Sequence, residues 1–365
     1  MPRRILMTGD AIGGVWNYSL QLIEALAPYG IEVTLVVMGG QPSPEQRRAA
    51  AALPNLWLIG SGLRLEWMRD CAADLLGAQE LLLELEARYA PDIVHVNGYA
   101  GAAAGFAAPV VVVAHSCVPS WWRACRREPI PRCWDAYRLR LRRGLAAARC
   151  VVSPSRAFLD SFTAANGAVP RSRVIRNGRD PRRYEPHGKR PFVLAAGRLW
   201  DEAKNIGAVC QAAALLADPV LVAGEGILPD PMPPNLHLLG RLDSDELAAR
   251  MAEAAVFAAP ARYEPFGLAV LEAALSGCAL VVGDIPTMRE LWDGAACFVD
   301  PDDPDALASA IAPLLADAGA ALSAGQAARG RALEYGAAEM ARGYFDLYRE
   351  LLAPARSTIV GEAAA

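Results

Sequence analysis

Short apolar runs alternate along this chain with stretches whose apolar residues recur at helical spacing, the pattern of buried parallel strands joined by crossover helices. The pattern runs twice. In the first round it predicts strands at Ile5–Met7, Glu32–Met38, Leu56–Ile59, Asp92–Val96, Pro109–Ala114, Cys150–Ser153 and Val174–Arg176. Helices are predicted over Trp16–Tyr29, over Leu63–Tyr89 and from Ser155. Leu20, Ile23 and Ala27 share one face of the first of these, and Gly30 ends it. The polar stretch Arg179–Arg190, with its prolines, interrupts the alternation and reads as a linker.

The second round predicts strands at Phe192–Ala195, Pro219–Ala223, Leu236–Leu239, Val256–Ala258, Ala279–Val282 and Cys297–Val299. A helix starts at Asn205, and Asp243 or Ser244 caps another. From Pro304 the chain is helical to about Leu352, and Arg356–Ala365 reads as a loose tail. The expectation is an α/β protein of two Rossmann-like domains facing each other across a cleft. Residues 1–180 form the N-terminal domain and 190–335 the C-terminal one, with a helix over 336–352 able to pack back on the first.

A length of 365 residues suits two domains, and 53% hydrophobic with 21% charged residues is a globular composition. A net charge of -4 gives no general case for binding nucleic acid or membrane. The charge is uneven: Arg123–Arg149 holds nine arginines against two acids, Glu128 and Asp135. Within it Trp134–Ala148 can form an amphipathic helix whose arginines at 138, 140, 142 and 143 face either solvent or anionic lipid. Peripheral contact with the inner face of a membrane therefore stays open. The eight cysteines show no C-x-x-C pair and no metal-site spacing, which suits a reducing cytosol. No signal peptide and no apolar run of membrane-spanning length is visible, so the expected location is cytoplasmic.

The most informative chemistry lies in Glu264-Pro-Phe-Gly-Leu-Ala-Val-Leu-Glu272. Pro265 suits the first turn of a helix and Gly277 its end, which places Glu264 at a helix mouth. Phe266, Gly267 and Leu268 then point unbonded N–H groups outward, where an anion is stabilised. Glu272 falls about two turns in, roughly 12 Å along the axis, among apolar residues where a carboxylate needs a partner. A capped surface helix with one solvated glutamate explains the same segment equally well.

Gly197-Arg198-Leu199 follows a predicted strand, with Lys204-Asn205 at the start of the next helix. An Arg and a Lys at that edge suit a diphosphate. Gly13-Gly14 follows the first strand and permits close approach of backbone to a phosphate or sugar, without a dinucleotide fingerprint or a Walker lysine. His115 ends a strand and faces the cleft if that strand is parallel to its neighbours, although a lone histidine is more often structural, as His95 inside its strand reads. Trp121 and Trp122 offer flat surface to an acceptor, and Arg123, Arg126 and Arg127 offer charge to an anionic one.

Together these residues resemble the family-4 retaining glycosyltransferases of GT-B fold. The paired-glutamate motif stands as Glu264…Glu272. The G-R-[LV]-x-x-x-K-[NG] pattern stands as Gly197-Arg-Leu-Trp-Asp-Glu-Ala-Lys204-Asn205, one residue longer than usual. His115, Gly13-Gly14, Asn177-Gly178-Arg179-Asp180 and the loop Gly283–Glu290 fit as well. The resemblance implies a nucleotide-diphosphate sugar as donor substrate, no cofactor and no metal. It implies that Arg198 and Lys204 bind the diphosphate with the amides of Phe266 and Gly267, beside Leu268. Glu264 would hold sugar hydroxyls, Glu272 the ribose, and His115 the sugar near its reacting carbon. Retention would follow from same-face attack, the leaving phosphate taking the acceptor's proton. The acceptor is expected on the N-terminal domain, around Trp121, Trp122, Arg123 and Arg126. Two other readings remain beside it: another GT-B enzyme such as a nucleotide-sugar epimerase, and a non-catalytic nucleotide-sugar binder.

Overall fold

The computed structural model describes residues 1–169, 171–227 and 231–353; the predicted tail lies outside them. The first half is a seven-stranded sheet in the order β3-β2-β1-β4-β5-β6-β7. It is built from β1 (Arg4–Asp10), β2 (Glu32–Met38), β3 (Leu56–Gly60), β4 (Ile93–Val96), β5 (Val110–Val113), β6 (Cys150–Ser153) and β7 (Ser172–Val174). The second is a six-stranded sheet, β10-β9-β8-β11-β12-β13. Its strands are β8 (Arg190–Ala196), β9 (Val220–Ala223), β10 (Leu236–Gly240), β11 (Ala254–Ala259), β12 (Ala279–Gly283) and β13 (Cys297–Val299). Every pairing is parallel, as for Ile5 opposite both Val33 and Ile93. Continuous apolar runs such as Val110–Val113 are buried on both faces because helices cover both.

Strand order reverses between β1 and β4 in the first sheet and between β8 and β11 in the second. Loops diverge at such a switch point and leave a crevice beyond the carboxyl ends of the strands. Four helices matter to what fills it: α1 (Gly14–Leu26), α4 (Val118–Cys125), α7 (Ile206–Ala213) and α9 (Leu268–Leu275). The last helix, α13 (Ala337–Leu352), returns to the first half. Met340, Ala341, Tyr344, Leu347 and Tyr348 join Leu22, Ile23 and Leu26 of α1 in one buried cluster.

Three expectations change. The helix predicted over Leu63–Tyr89 begins only at Ala72 as α3 (Ala72–Tyr89). The residues before it form a loop that buries Leu65 and turns at Asp70, whose φ is 53°. Glu66 in that loop accepts from the amides of Tyr99 and Ala100, so helical spacing here serves a loop packed on the sheet edge. The last strand of the first half lies two residues earlier than predicted, at Ser172–Val174. Of the four arginines of helix α5 (Asp135–Ala147), Arg140 leaves the outward-facing set. Arg140 turns inward to Cys71, Arg138 pairs with Asp135, and Arg142 and Arg143 are exposed. Among the described residues no single helix is long and apolar enough to cross a membrane.

Candidate active site

The anion-seeking segment departs from its predicted form. The helix starts at Leu268, and Pro265 belongs to the loop before it. Gly267 is the N-cap with φ 87° and ψ 67°, a left-handed conformation that glycine reaches without Cβ strain. The turn aims the free end of α9 into the cleft with no side chain capping it. Glu264 stays beside that end, its backbone carbonyl accepting from Thr287 Oγ1 at 2.6 Å.

Lys204 Nζ meets Glu264 Oε2 at 2.5 Å, so the longer G-R-L…K spacing still delivers the lysine to the glutamate. Arg198 donates to Asp201, three residues on, and its guanidinium stacks 5.2 Å from the centre of the Trp200 ring. Asp201 is nearly sealed from solvent and also accepts from Ala203 N at 3.1 Å and from Trp121 Nε1 at 3.1 Å. Burial pushes its carboxyl up, but the Arg198 charge and these bonds outweigh that and hold it below the usual range. Asp201 thus fixes Arg198 in place and ties it to the opposite domain.

Across the cleft, Gly13 caps α1 with φ 81° and ψ -159°, again with no side-chain cap. A Cβ built there would lie 3.0 Å from Arg198 Nη1, and one on Gly14 would lie 3.7 Å from Leu268 Cδ1. The uncapped ends of α1 and α9 therefore face each other with Arg198, Lys204 and Glu264 between them. Gly13→Ala should cost about 1–3 kcal/mol of stability, because that backbone region is nearly exclusive to glycine. It should also raise the KM for a donor by driving a methyl onto Arg198. Thermal melts and steady-state kinetics check both, and wild-type values in both would contradict this geometry.

Glu272 is not an idle carboxylate. Its Oε1 accepts from Arg179 Nε at 2.7 Å, and both side chains are almost fully buried. His115 is half-buried, its Nε2 2.9 Å from Asn97 Oδ1 and its ring edge-on to Tyr18 at 4.4 Å. Burial, then His95, pulls its imidazole down to about 3. The proposed acceptor residues prove to be shared between domains. Beyond Trp121, Arg126 pairs with Glu202 at 2.6 Å and stacks on Trp122, and Arg127 pairs with Asp302 at 2.6 Å. Arg123 is exposed. Ser120 Oγ and Tyr263 Oη, 2.9 Å apart, add another contact on this side.

Sequence reasoning passed over Asn97, which lies at the carboxyl end of β4, and the pair Asp10 and Glu66. Burial, then Glu66, pushes the Asp10 carboxyl up to about 8. Burial raises Glu66 to about 6 against the Ala100 and Tyr99 amides. The position of Asp10 at the end of the first strand was the available signal. Among the described residues no group of three or more His, Cys, Asp or Glu could hold a metal ion.

Two tandem parallel sheets, each opening its switch point on a common cleft, form the GT-B architecture. Sucrose-phosphate synthase from Thermosynechococcus elongatus shares it at a TM-score of 0.80 and 21% identity, over 96% of this chain and 99% of that one. Anabaena Alr3699/HepE in complex with UDP and glucose shares it at 0.74 and 16%, over 95% and 100%. In sequence, the model for Glycosyltransferase Family 4 matches residues 12–183 and that for Glycosyl transferases group 1 matches residues 190–317. The chain is also 27% identical to a glycogen synthase of Mycobacterium tuberculosis, over 88% of this chain and 86% of that one. It belongs to the family-4 glycosyltransferases of GT-B fold.

Proposed function

We propose that this glycosyltransferase moves a sugar from a nucleoside-diphosphate sugar to a hydroxyl acceptor, with retention at the anomeric carbon and without a metal. The observation that carries this is the close approach of Gly13 to Arg198 between two uncapped helix ends, with Lys204 beside Glu264. Charge that develops on a leaving diphosphate would meet groups already in place, which is where preorganised donors contribute most. In the transfer, the bond from anomeric carbon to phosphate oxygen breaks and the bond to the acceptor oxygen forms on the same face. The acceptor proton passes to the leaving phosphate oxygen, and a nucleoside diphosphate departs.

Roles divide accordingly. Arg198, Lys204 and the Phe266, Gly267 and Leu268 amides take the diphosphate, with Gly13 and Gly14 against it. Glu264 takes sugar hydroxyls and Glu272 the ribose through the oxygen that Arg179 leaves free. His115 lies near the reacting carbon. The acceptor enters from the N-terminal side, past Trp122 and Arg123. A relative of the same fold was crystallised with UDP and glucose, which makes UDP-glucose the first donor to try.

Incubating the protein with a panel of nucleotide sugars should give slow donor hydrolysis with one of them, unchanged by excess EDTA. Complete loss with EDTA, restored by Mg²⁺ or Mn²⁺, would remove the metal-free reading. Absence of nucleotide binding by calorimetry would remove the donor reading.

A further inference from the structure

We infer that Asn97 is a positioning residue that locks His115 in one neutral tautomer, proton on Nε2, so that Nδ1 offers a lone pair to a substrate hydroxyl. Asn97 is buried, and its side-chain nitrogen Nδ2 lies 2.6 Å from the carbonyl oxygen of Thr8 and 3.3 Å from Ser19 Oγ. A carbonyl oxygen only accepts, so the amide group facing it must be the NH₂. The Asn97 amide N–H also donates to Thr8 Oγ1 at 2.9 Å, which fixes the residue between β1 and β4.

With the amide so oriented, Oδ1 faces two imidazoles: His115 Nε2 at 2.9 Å and His95 Nε2 at 3.2 Å. An amide oxygen carries no proton, so both rings must donate from Nε2. His95 then accepts at Nδ1, and Tyr348 Oη is 2.6 Å away to donate. All of its ring nitrogens are satisfied inside the protein. His115 differs. Its Nδ1 has no protein partner among the described residues and is not among the buried polar atoms left unpartnered, so it is open to the cleft. The opposite tautomer would set two lone pairs against each other at Asn97 and present an N–H outward.

Tyr18 from α1 packs on the His115 ring, His95 from β4 shares the Asn97 oxygen with it, and Tyr344 and Tyr348 from α13 lie behind them against His95. None of these is an anion that would favour imidazolium. Burial holds His95 down to about 4 as well, so the chain of contacts stays neutral in the range where the enzyme would work. The consequence for substrate is specific. The sugar or acceptor must bring a hydroxyl to His115 as a donor, and an analogue lacking that hydroxyl leaves a lone pair unmet in a partly desolvated site.

This inference rests on the placement of His115 beside the transferred sugar, and the test separates the two. Long-range ¹H–¹⁵N NMR of the full chain labelled at histidine should show His115 protonated at Nε2 and bare at Nδ1 from pH 5 to 8. Asn97→Asp keeps the shape and the acceptor but supplies a negative charge, which raises the pKa of the ring. The ring then takes a second proton as pH falls, and kcat should drop at least fivefold more between pH 8 and pH 5 than it does in the wild type. His115 found with its proton on Nδ1 overturns the lock. A folded Asn97→Asp whose His115 titrates upward while its kcat profile matches that of the wild type overturns the placement of His115 at the reaction centre. Asn97→Ser, smaller and neutral, guards against misfolding of the charged variant. Its His115 signals should broaden into a tautomer mixture, and a retained single Nε2–H form overturns the role of Asn97.

Discussion

Arg198→Ala is expected to lower kcat/KM by a factor of roughly 10²–10³, about 2–4 kcal/mol, as for the loss of one preorganised charged donor. The reason is the way this arginine is held. Asp201 grips one end of the guanidinium, Trp200 lies under its plane, and Gly13 leaves room for Nη1 to reach across the cleft. An arginine on a free loop would spend much of its attraction for a phosphate on ordering itself. Here the ordering is done by folding, and the positive charge waits where negative charge will grow. The substitution also strips a nearly buried Asp201 of its cation, leaving only the Ala203 amide and the Trp121 indole N–H. Thermal melts must therefore accompany the kinetics. Arg198→Lys is the useful control, because it keeps a charge near Asp201 while losing the fork. If the alanine variant keeps kcat/KM within a fewfold of wild type, the diphosphate does not bind at Arg198.

The sequence displayed most of the scaffold because parallel strands buried on both faces write themselves as unbroken apolar runs. Val110–Val113 and Ala279–Gly283 are of that kind. Helix starts were less visible, for local reasons. Pro265 suited a first helical turn, yet the left-handed Gly267 two residues later sets the true start. The spacing of Leu63–Cys71 suited a helix because a loop pressed against the sheet needs inward apolar residues too. Partners were hidden entirely, since nothing in a local pattern reports on a residue a hundred positions away. The segment Gly283–Glu290 fitted the family resemblance as a loop, but from Pro286 it is helical, to Trp292. In the structure the Glu290 carboxylate also accepts from Arg156 N at 3.1 Å and Ala157 N at 2.6 Å, capping α6 (Arg156–Asn166) of the opposite domain. Trp121 and Arg126 looked free to receive an acceptor, but Asp201 and Glu202 hold them. Asn97 had no motif at all. Its importance comes from sitting between two histidines that the sheet brings together from neighbouring strands.

Arg179→Ala is expected to destabilise the protein by about 3–5 kcal/mol, the range for removing one partner of a buried ion pair. Arg179 occupies the place where the chain crosses between its halves twice. Its backbone N–H donates to Tyr335 O and its carbonyl accepts from Ala337 N, both at 3.1 Å, so the outgoing linker and the returning chain lie side by side. Its side chain reaches both halves at once, donating to Asn17 O of α1 at 3.2 Å and to Glu272 of α9 at 2.7 Å. Alanine preserves the backbone bridge but leaves the Glu272 carboxylate, 12% exposed and beside the Tyr184 hydroxyl, without its cation. Most of the cost is that orphaned charge, so Arg179→Ala with Glu272→Gln should recover much of the lost stability, a non-additivity that a double-mutant cycle reads directly. The same comparison bears on function. Glu272→Gln alone should weaken binding of free nucleotide, whereas Glu264→Gln should leave it nearly intact and reduce turnover. Denaturant unfolding of the wild type and the three Arg179 and Glu272 variants, with calorimetric titration of nucleotide into the folded proteins and into Glu264→Gln, checks both expectations. Additive losses in the cycle would mean that the pair is not coupled. Equal loss of nucleotide affinity in the two glutamate variants would mean that Glu272 has no separate part in holding the ribose.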